Sequence, residues 1–353
     1  MAKLNKPTSR PKIAFLISQW WKENIFSADE LNRIKSFAEI VELEGGRLDA
    51  DGVKRALKDA AGAVTTWETP ALNDDTLADA KKLKMICHCA GSIRPIMSEN
   101  VLKNLLEKGT IISTTSPAIG IGVAEFTLGV IICGLKKTFF MREGIASGKW
   151  REFHGRWNQD GHPCELTPVE PYNVTVGVIG AGYCGSHLIK LLRNFEMKIL
   201  LYDPYKSEED CRKMGAEKSD LEHLMASSDV ITLHAPSTPQ TKGMINKDLI
   251  TKIKDGALFV NTAAAGEVDE EALILELKTG RFYACIDQTL IQPAPQNHPF
   301  RNMKNVSLTP HIAGHISNGF RRQGKYAVDE LEGFFKDGRV RFGLRADRLA
   351  IIE

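Results

Sequence analysis

An apolar run beginning at Val174 leads straight into Gly180-Ala-Gly182-Tyr183-Cys184-Gly185, and a helical pattern follows over residues 187–194. Each glycine in this Gly-x-Gly-x-x-Gly stretch has a physical task. Gly180 permits the tight turn, Gly182 lets backbone approach a pyrophosphate, and Gly185 lets the helix pack closely on the strand, while the helix N-terminus faces the phosphate charge. Turn glycines are common, so the surroundings must decide the reading. A second apolar run, residues 198–202, ends in Asp203, 18 residues beyond Gly185, where a carboxylate can take the adenosine ribose hydroxyls. The expected ligand is therefore a dinucleotide. Asp203 repels a ribose phosphate, and Pro204-Tyr205 supplies no arginine to neutralise one, so NAD is expected over NADP, with Lys206 the one cation nearby.

Other residues of reactive type carry less. His311 and His315 have the i, i+4 spacing of a metal pair, but no third ligand lies near in sequence, and no metal is expected. Cys87 and Cys89 fall on one face of a strand without a second Cys/His pair, which reads as core packing. The seven cysteines, Cys87, Cys89, Cys133, Cys164, Cys184, Cys211 and Cys285, are odd in number and scattered, as suits reduced thiols. Trp67 closes a strand pattern and reads as a core tryptophan before a ligand-facing one.

These groups need elements to hold them. Short β-rich runs at residues 13–18, 63–67, 85–90 and 111–115 alternate with helical stretches at 28–43 and 99–107, the pattern of an α/β domain with a parallel sheet. A long helical pattern from Gly122 through Val123-Ala124-Glu125 toward Glu143 serves as a connector. Residues 149–173 lose all periodicity and gather Trp150, His154, Trp157 and His162, a length that suggests an arm onto a partner subunit or a cover for a cleft. The βα alternation resumes at Val174 and continues to Pro310. A last helical stretch, residues 318–335, precedes a charged tail that can cross back onto the first domain.

With 353 residues the chain exceeds the size of one hydrophobic core, and a hydrophobic fraction of 43% supplies enough material for two. Its 46 lysines and arginines against 44 acidic residues give no field for nucleic acid or membrane, which leaves a small molecule as partner. No apolar run is read as a membrane span and the basic, polar start lacks a signal-peptide core, so the cytoplasm is the expected location.

Taken together, the motifs resemble the D-2-hydroxyacid dehydrogenase family. Its markers here are Val123-Ala124-Glu125, the glycine fingerprint, Leu233-His234-Ala235-Pro236 with Thr241, Val260-Asn261-Thr262-Ala263, Val268-Asp269-Glu270, Ile286-Asp287 and Thr309-Pro310-His311. The resemblance implies an α/β fold of two Rossmann-like domains with parallel sheets, the outer domain formed by both chain ends. Residues 1–118 and 316–353 would form the substrate domain and 119–315 the NAD-binding domain. It further implies that Tyr183, Cys184, His234, Ala235, Pro236, Thr241, Thr262, Ala263, Asp287 and His311 line the cofactor, His234 in a structural or adenine-side role. Gly91-Ser92-Ile93, with Arg94 after it, matches the family's carboxylate-binding loop.

The family's chemistry uses a histidine to carry the C2 oxygen's proton, a carboxylate beside it and an arginine on the substrate carboxylate. By resemblance His311 is that histidine. Counting from Asn261 places the arginine's position on Ala264, and counting from Asp287 places the glutamate's on Gln292. Gln292-Pro-Ala-Pro resembles the formate dehydrogenase stretch, where glutamine pairs with the histidine. A neutral amide orients the ring without stabilising its protonated form. Residues 116–122 contain no asparagine, and the arginine is missing, which argues against formate. Arg94 could supply the absent guanidinium, or remain a solvated loop arginine. The expectation is an NAD-dependent oxidoreductase acting on a small 2-hydroxy or 2-oxo acid through an atypical site, as a homodimer. The competing expectation is a catalytically silent NAD-binding protein with a regulatory or non-redox role.

Overall fold

The structure, a computed structural model, describes residues 10–149 and 166–351. The arm's histidines and tryptophans, His154, His162, Trp150 and Trp157, lie outside the described residues, as does Cys164. The chain divides into two compact units, one of the residues up to Ile119 with those from His315 onward, the other Gly120–Gly314.

The first unit is built on a parallel five-stranded sheet: β1 (Lys12–Leu16), β2 (Glu39–Val41), β3 (Gly62–Thr65), β4 (Met85–His88) and β5 (Ile111–Thr114), in the order β2-β1-β3-β4-β5. Its central strands are buried on both faces, hence their continuous apolar runs. The helix expected over 28–43 is shorter. Ser27 and Glu30 form a capping box that starts it at Ala28, and it ends at Phe37 because Ala38 turns extended. Ile40 then pairs beside Ile13 as strand β2. Cys87 and Cys89 are fully buried in the core with Phe15 and Val328.

The tail does cross back. Leu344 N–H donates to Ile112 O at 2.7 Å and Thr114 N–H to Phe342 O at 3.2 Å, adding an antiparallel edge to β5. Glu330, 1% exposed on the helix Gly319–Asp337, anchors it by accepting from the N–H groups of Arg341 and Phe342 and from Ser113 Oγ.

The second unit carries β6 (Tyr172–Ile179), β7 (Glu196–Tyr202), β8 (Glu217–Lys218), β9 (Val230–Leu233), β10 (Leu258–Asn261), β11 (Tyr283–Ile286) and β12 (Val306–Leu308). All pair in parallel, in the order β12-β11-β10-β9-β6-β7-β8. The chain runs outward from β6 in one direction and returns to β9 on its other side. That reversal opens a crevice at the carboxyl ends of β6 and β9, where doubly wound sheets bind ligands.

The connector begins earlier than Gly122 and comes in two pieces, Ser116–Leu135 and Thr138–Ala146, broken where Lys137 takes φ 59°. Contrary to the sequence expectation, the helix Ser116–Leu135 is long and apolar enough by composition to cross a membrane. In this fold Ala124, Val130, Ile131 and Leu135 instead fill a core with Val176, Val178 and Leu258. Burial of these residues overrides the poor helix propensity of the glycines among them.

Candidate functional site

The dinucleotide crevice follows from backbone geometry at two glycines. Gly180 leaves β6 with φ +90°, and a Cβ there would stand 2.8 Å from His234 O, on the neighbouring strand's end. A Cβ on Gly185 would fall 2.0 Å from Gly180 O, so only glycine lets the helix Tyr183–Leu192 start this close to the turn. Gly182 has open space beside it. A backbone cradle at a helix start with room above it fits a pyrophosphate.

Asp203 closes the same end of the sheet. Its carboxylate is buried and accepts from Ala181 N–H and Tyr205 N–H, both at 2.9 Å, which ties the glycine turn to the loop after β7. Each carboxylate oxygen keeps further lone-pair capacity for ribose hydroxyls. Substituting Asp203 by alanine should therefore narrow the expected preference for NAD(H) over NADP(H) by roughly tenfold or more. Calorimetric titration of both dinucleotides checks it, and an unaltered ratio would refute the assignment.

Several residues expected to line the cofactor use their polar groups on the protein itself. Thr241 Oγ1 donates to Pro236 O at 2.6 Å and so staples the loop after β9. Thr262 Oγ1 pairs with Thr127 Oγ1 at 2.9 Å, and Ala263 N–H donates to Asn261 Oδ1. His234 sits between Thr232 Oγ1 (2.9 Å) and Cys184 Sγ (3.2 Å), and burial pulls its imidazole down to about 3, so it is a neutral structural histidine. Ala235 is buried, whereas Tyr183 is exposed at the helix start.

His311 and Gln292 meet. Gln292 Oε1 lies 2.8 Å from His311 Nδ1, and Gln292 Nε2 donates to Gln288 Oε1 at 3.1 Å. In this arrangement the amide oxygen is the end that faces the ring. An oxygen there can only accept, so Nδ1 carries a proton and Nε2 is left to exchange one. Both side chains are exposed.

His311 also adopts φ 55°, a left-handed conformation that costs a non-glycine residue about 1 kcal/mol or more and must be held by its surroundings. Asp287 does the holding. Its carboxylate, 3% exposed, accepts from Thr309 Oγ1 at 2.5 Å and from Ile312 N–H and Ala313 N–H at 2.9 Å, while its carbonyl accepts from His311 N–H. The sequence places Asp287 against the cofactor; the structure gives its carboxylate to the histidine loop. Arg301 and Glu270 brace the Gln292 loop, the first through Ala294 O and Pro295 O, the second through Leu290 N–H and His298. Ala264 opens a short turn, Ala265–Glu267, with a half-buried methyl where a guanidinium was expected from the pattern.

The anion loop belongs to the first unit. Ser116 Oγ donates to Gly91 O at 2.9 Å, and Thr114 Oγ1 reaches Ala90 O at 3.5 Å. His88 Nε2 holds Ser92 O at 3.0 Å. A carbonyl only accepts, so His88 donates through Nε2 and takes Thr65 Oγ1 at Nδ1 (3.0 Å). Burial pulls this imidazole down to about 4, which keeps it neutral near pH 7. Among the described residues no acceptor takes the N–H of Gly91, Ser92 or Ile93. The loop thus fixes its carbonyls and leaves its donors for an anion. Arg94 keeps 34% of its side chain exposed, yet its guanidinium is engaged within the first unit. Its guanidinium donates to Leu349 O at 2.6 Å and lies 3.7 Å from Glu99.

Sequence reasoning missed His88, whose signal was only a polar residue ending an apolar strand. It also missed a ring cluster: Trp67 is 38% exposed, rather than core, and packs on His315 at 4.4 Å, which packs on Trp21 at 5.1 Å. No group of three metal-ligating side chains occurs among the described residues.

Residues 128–313 match the family model of the D-isomer specific 2-hydroxyacid dehydrogenase NAD-binding domain. Over 303 residues, 85% of its length, the chain is 30% identical to a hydroxypyruvate reductase of Thermotoga maritima, of which it covers 92%. It is also 30% identical over 303 residues to a D-3-phosphoglycerate dehydrogenase of Methanocaldococcus jannaschii, of which it covers 54%. The chain spans about half the length of the phosphoglycerate dehydrogenases it matches. The apo D-mandelate dehydrogenase of Rhodotorula graminis shares the fold, with a TM-score of 0.76, 21% identity and coverage of 96% of this chain and 98% of that one. Match length and identity agree with the glycine crevice and the parallel sheets: the chain belongs to the D-isomer specific 2-hydroxyacid dehydrogenase family, and Gly120–Gly314 holds its nicotinamide dinucleotide-binding domain.

Proposed function

We propose that the chain is an NAD-dependent oxidoreductase that interconverts a small 2-hydroxy acid and its 2-oxo acid with an atypical set of catalytic residues. The observation that carries this reading is the His311–Gln292 pair, an imidazole whose Nδ1 lies 2.8 Å from the amide oxygen and whose Nε2 is left to exchange a proton. The bound dinucleotide supplies or accepts the hydride. His311 gives the proton to the forming C2 oxygen in reduction and removes it in oxidation. Gln292 holds the ring's orientation without lending charge, and Asp287 holds the loop. The free N–H groups of Gly91, Ser92 and Ile93 receive the substrate carboxylate. With Ala264 the site lacks a charge-assisted clamp, so turnover of simple acids is low compared with an arginine-bearing site.

Ala264 also favours a second reading, a chain that binds NAD without turning substrate over. NADH oxidation at 340 nm with a panel of 2-oxo acids separates the two. The expected result is slow, saturable turnover that His311→Ala abolishes. Binding of NADH with no turnover of any panel member would leave only the second reading. The working protein is proposed to be a cytoplasmic homodimer with no nucleic-acid or membrane partner. A monomer mass for the same preparation in sedimentation at micromolar concentration would overturn the dimer.

A further inference from the structure

Next to the anion loop of the first unit stands a wall of aromatic rings that the fold alone does not require. Trp21 packs edge-on against Trp20 at 4.8 Å and Phe320 at 5.4 Å, and it lies 5.1 Å from His315. His315 in turn sits 4.4 Å from Trp67 and 4.7 Å from Phe320. The rings come from three separated parts of the chain: the helix Gln19–Ile25, the segment after β3, and residues 315–320 leading into the helix Gly319–Asp337. They lock one another through tilted and edge-to-face contacts, so their orientations are set before any ligand arrives.

The wall is not closed over. Trp20 is 55% exposed and Trp67 is 38% exposed, leaving large apolar faces in water. Its position relative to the loop is the informative part. A Cβ built on Gly91 would lie 3.3 Å from Trp67 Cζ2, so the indole stands beside the loop whose backbone N–H groups are left without a protein acceptor among the described residues. The cation in the loop, Arg94, is bound to Leu349 O and Glu99, so a phosphorylated or dicarboxylic side chain gains no guanidinium there.

We infer that the substrate is a 2-oxo or 2-hydroxy acid with an aromatic side chain, the Gly91–Ile93 loop holding its carboxylate and Trp67, backed by His315 and Trp21, receiving its ring. This rests on the reading of the loop as the carboxylate site given above. The ring of such a substrate leaves water for an apolar face and gains edge-to-face partners, neither of which glyoxylate can use.

Calorimetry on the full chain saturated with NAD+ tests the inference without any turnover, because an oxidised cofactor cannot reduce a 2-oxo acid. Phenylpyruvate should bind at least about tenfold more tightly than glyoxylate, and 3-phosphohydroxypyruvate should bind no better than glyoxylate. Trp67→Ala should cut the phenylpyruvate-to-glyoxylate affinity ratio severalfold, and Trp67→Phe should retain most of it. Equal affinities, a ratio unmoved by Trp67→Ala, or failure of both acids to bind would overturn the inference. The outcomes separate it from the catalytic proposal: tight phenylpyruvate binding without NADH oxidation would keep the substrate class and discard the reaction. Equal turnover and equal binding of both acids would do the reverse.

Discussion

Replacing Ala264 with arginine and Gln292 with glutamate together should raise kcat for NADH-driven reduction of 2-oxo acids by at least about a hundredfold, the scale on which single transition-state donors act. The backbone at both positions is already arranged for the change. Asn261 accepts from Ala263 N–H and donates to Ala264 O, so the turn that aims the 264 side chain is set by neighbours rather than by the methyl. The methyl is half-buried, leaving part of its surface open for a longer side chain to grow outward. At 292 a carboxylate oxygen can accept from His311 Nδ1 just as the amide oxygen does at 2.8 Å, with Gln288 turning to donate where it now accepts. Glutamate adds charge to an existing bond, and arginine adds a bidentate clamp. Because both act on one reacting centre, the double change should exceed the product of the single ones. An unchanged rate in protein that still binds NADH would place the chemistry away from His311.

Asp287→Ala should lower kcat at least about a hundredfold and destabilise the second unit by roughly 2–4 kcal/mol. The change strands two loop N–H groups, those of Ile312 and Ala313, and removes the partner of Thr309. With them goes the support for the left-handed turn that aims His311. Asp287 is a positioning residue, so the decisive comparison is between kcat and NADH affinity. A large fall in kcat with a modest change in NADH dissociation constant fits the clamp. Asp287→Asn should fall between, keeping an acceptor for Ile312 N–H and losing the one for Ala313 N–H. Thermal destabilisation with kcat intact would show that the loop aims His311 without help.

What could be read in the sequence was what neighbours in sequence determine. The glycine crevice and Asp203 at a strand end each depend on a few consecutive residues whose local chemistry fixes their geometry, while the pairing of Gln292 with His311, 19 residues apart, was legible through the motif on either side of β12. Strand β2 escaped because residues 28–43 carry a continuous helical pattern, and only the pairing of Ile40 with Ile13 makes Glu39–Val41 a strand. Arg94 was ambiguous for the same reason. Its partner Leu349 is 255 residues away, and no local pattern announces a carbonyl arriving from the tail. The aromatic wall was invisible as a unit, since Trp21, Trp67 and Phe320 meet only once the first and last parts of the chain pack together. The partners of Asp287 were not legible either: they are three donors of the loop that follows β12, which no pattern around residue 287 announces.

The return of the tail to β5 has a consequence for synthesis on the ribosome. The sheet β1–β5 emerges first, but the helix Gly319–Asp337, whose Glu330 receives Ser113 and whose Asp329 and Glu332 pair with Arg33, follows about 200 residues later. At roughly 5–20 residues per second that is a wait of about 10–40 seconds, with the surface meant for Val328 and Leu331 facing water or a chaperone. The dinucleotide-binding unit is continuous and has all its strands once β12 has left the exit tunnel. The cofactor can therefore bind and stabilise the later-made half of the nascent chain while the earlier-made half is still waiting for its last helix.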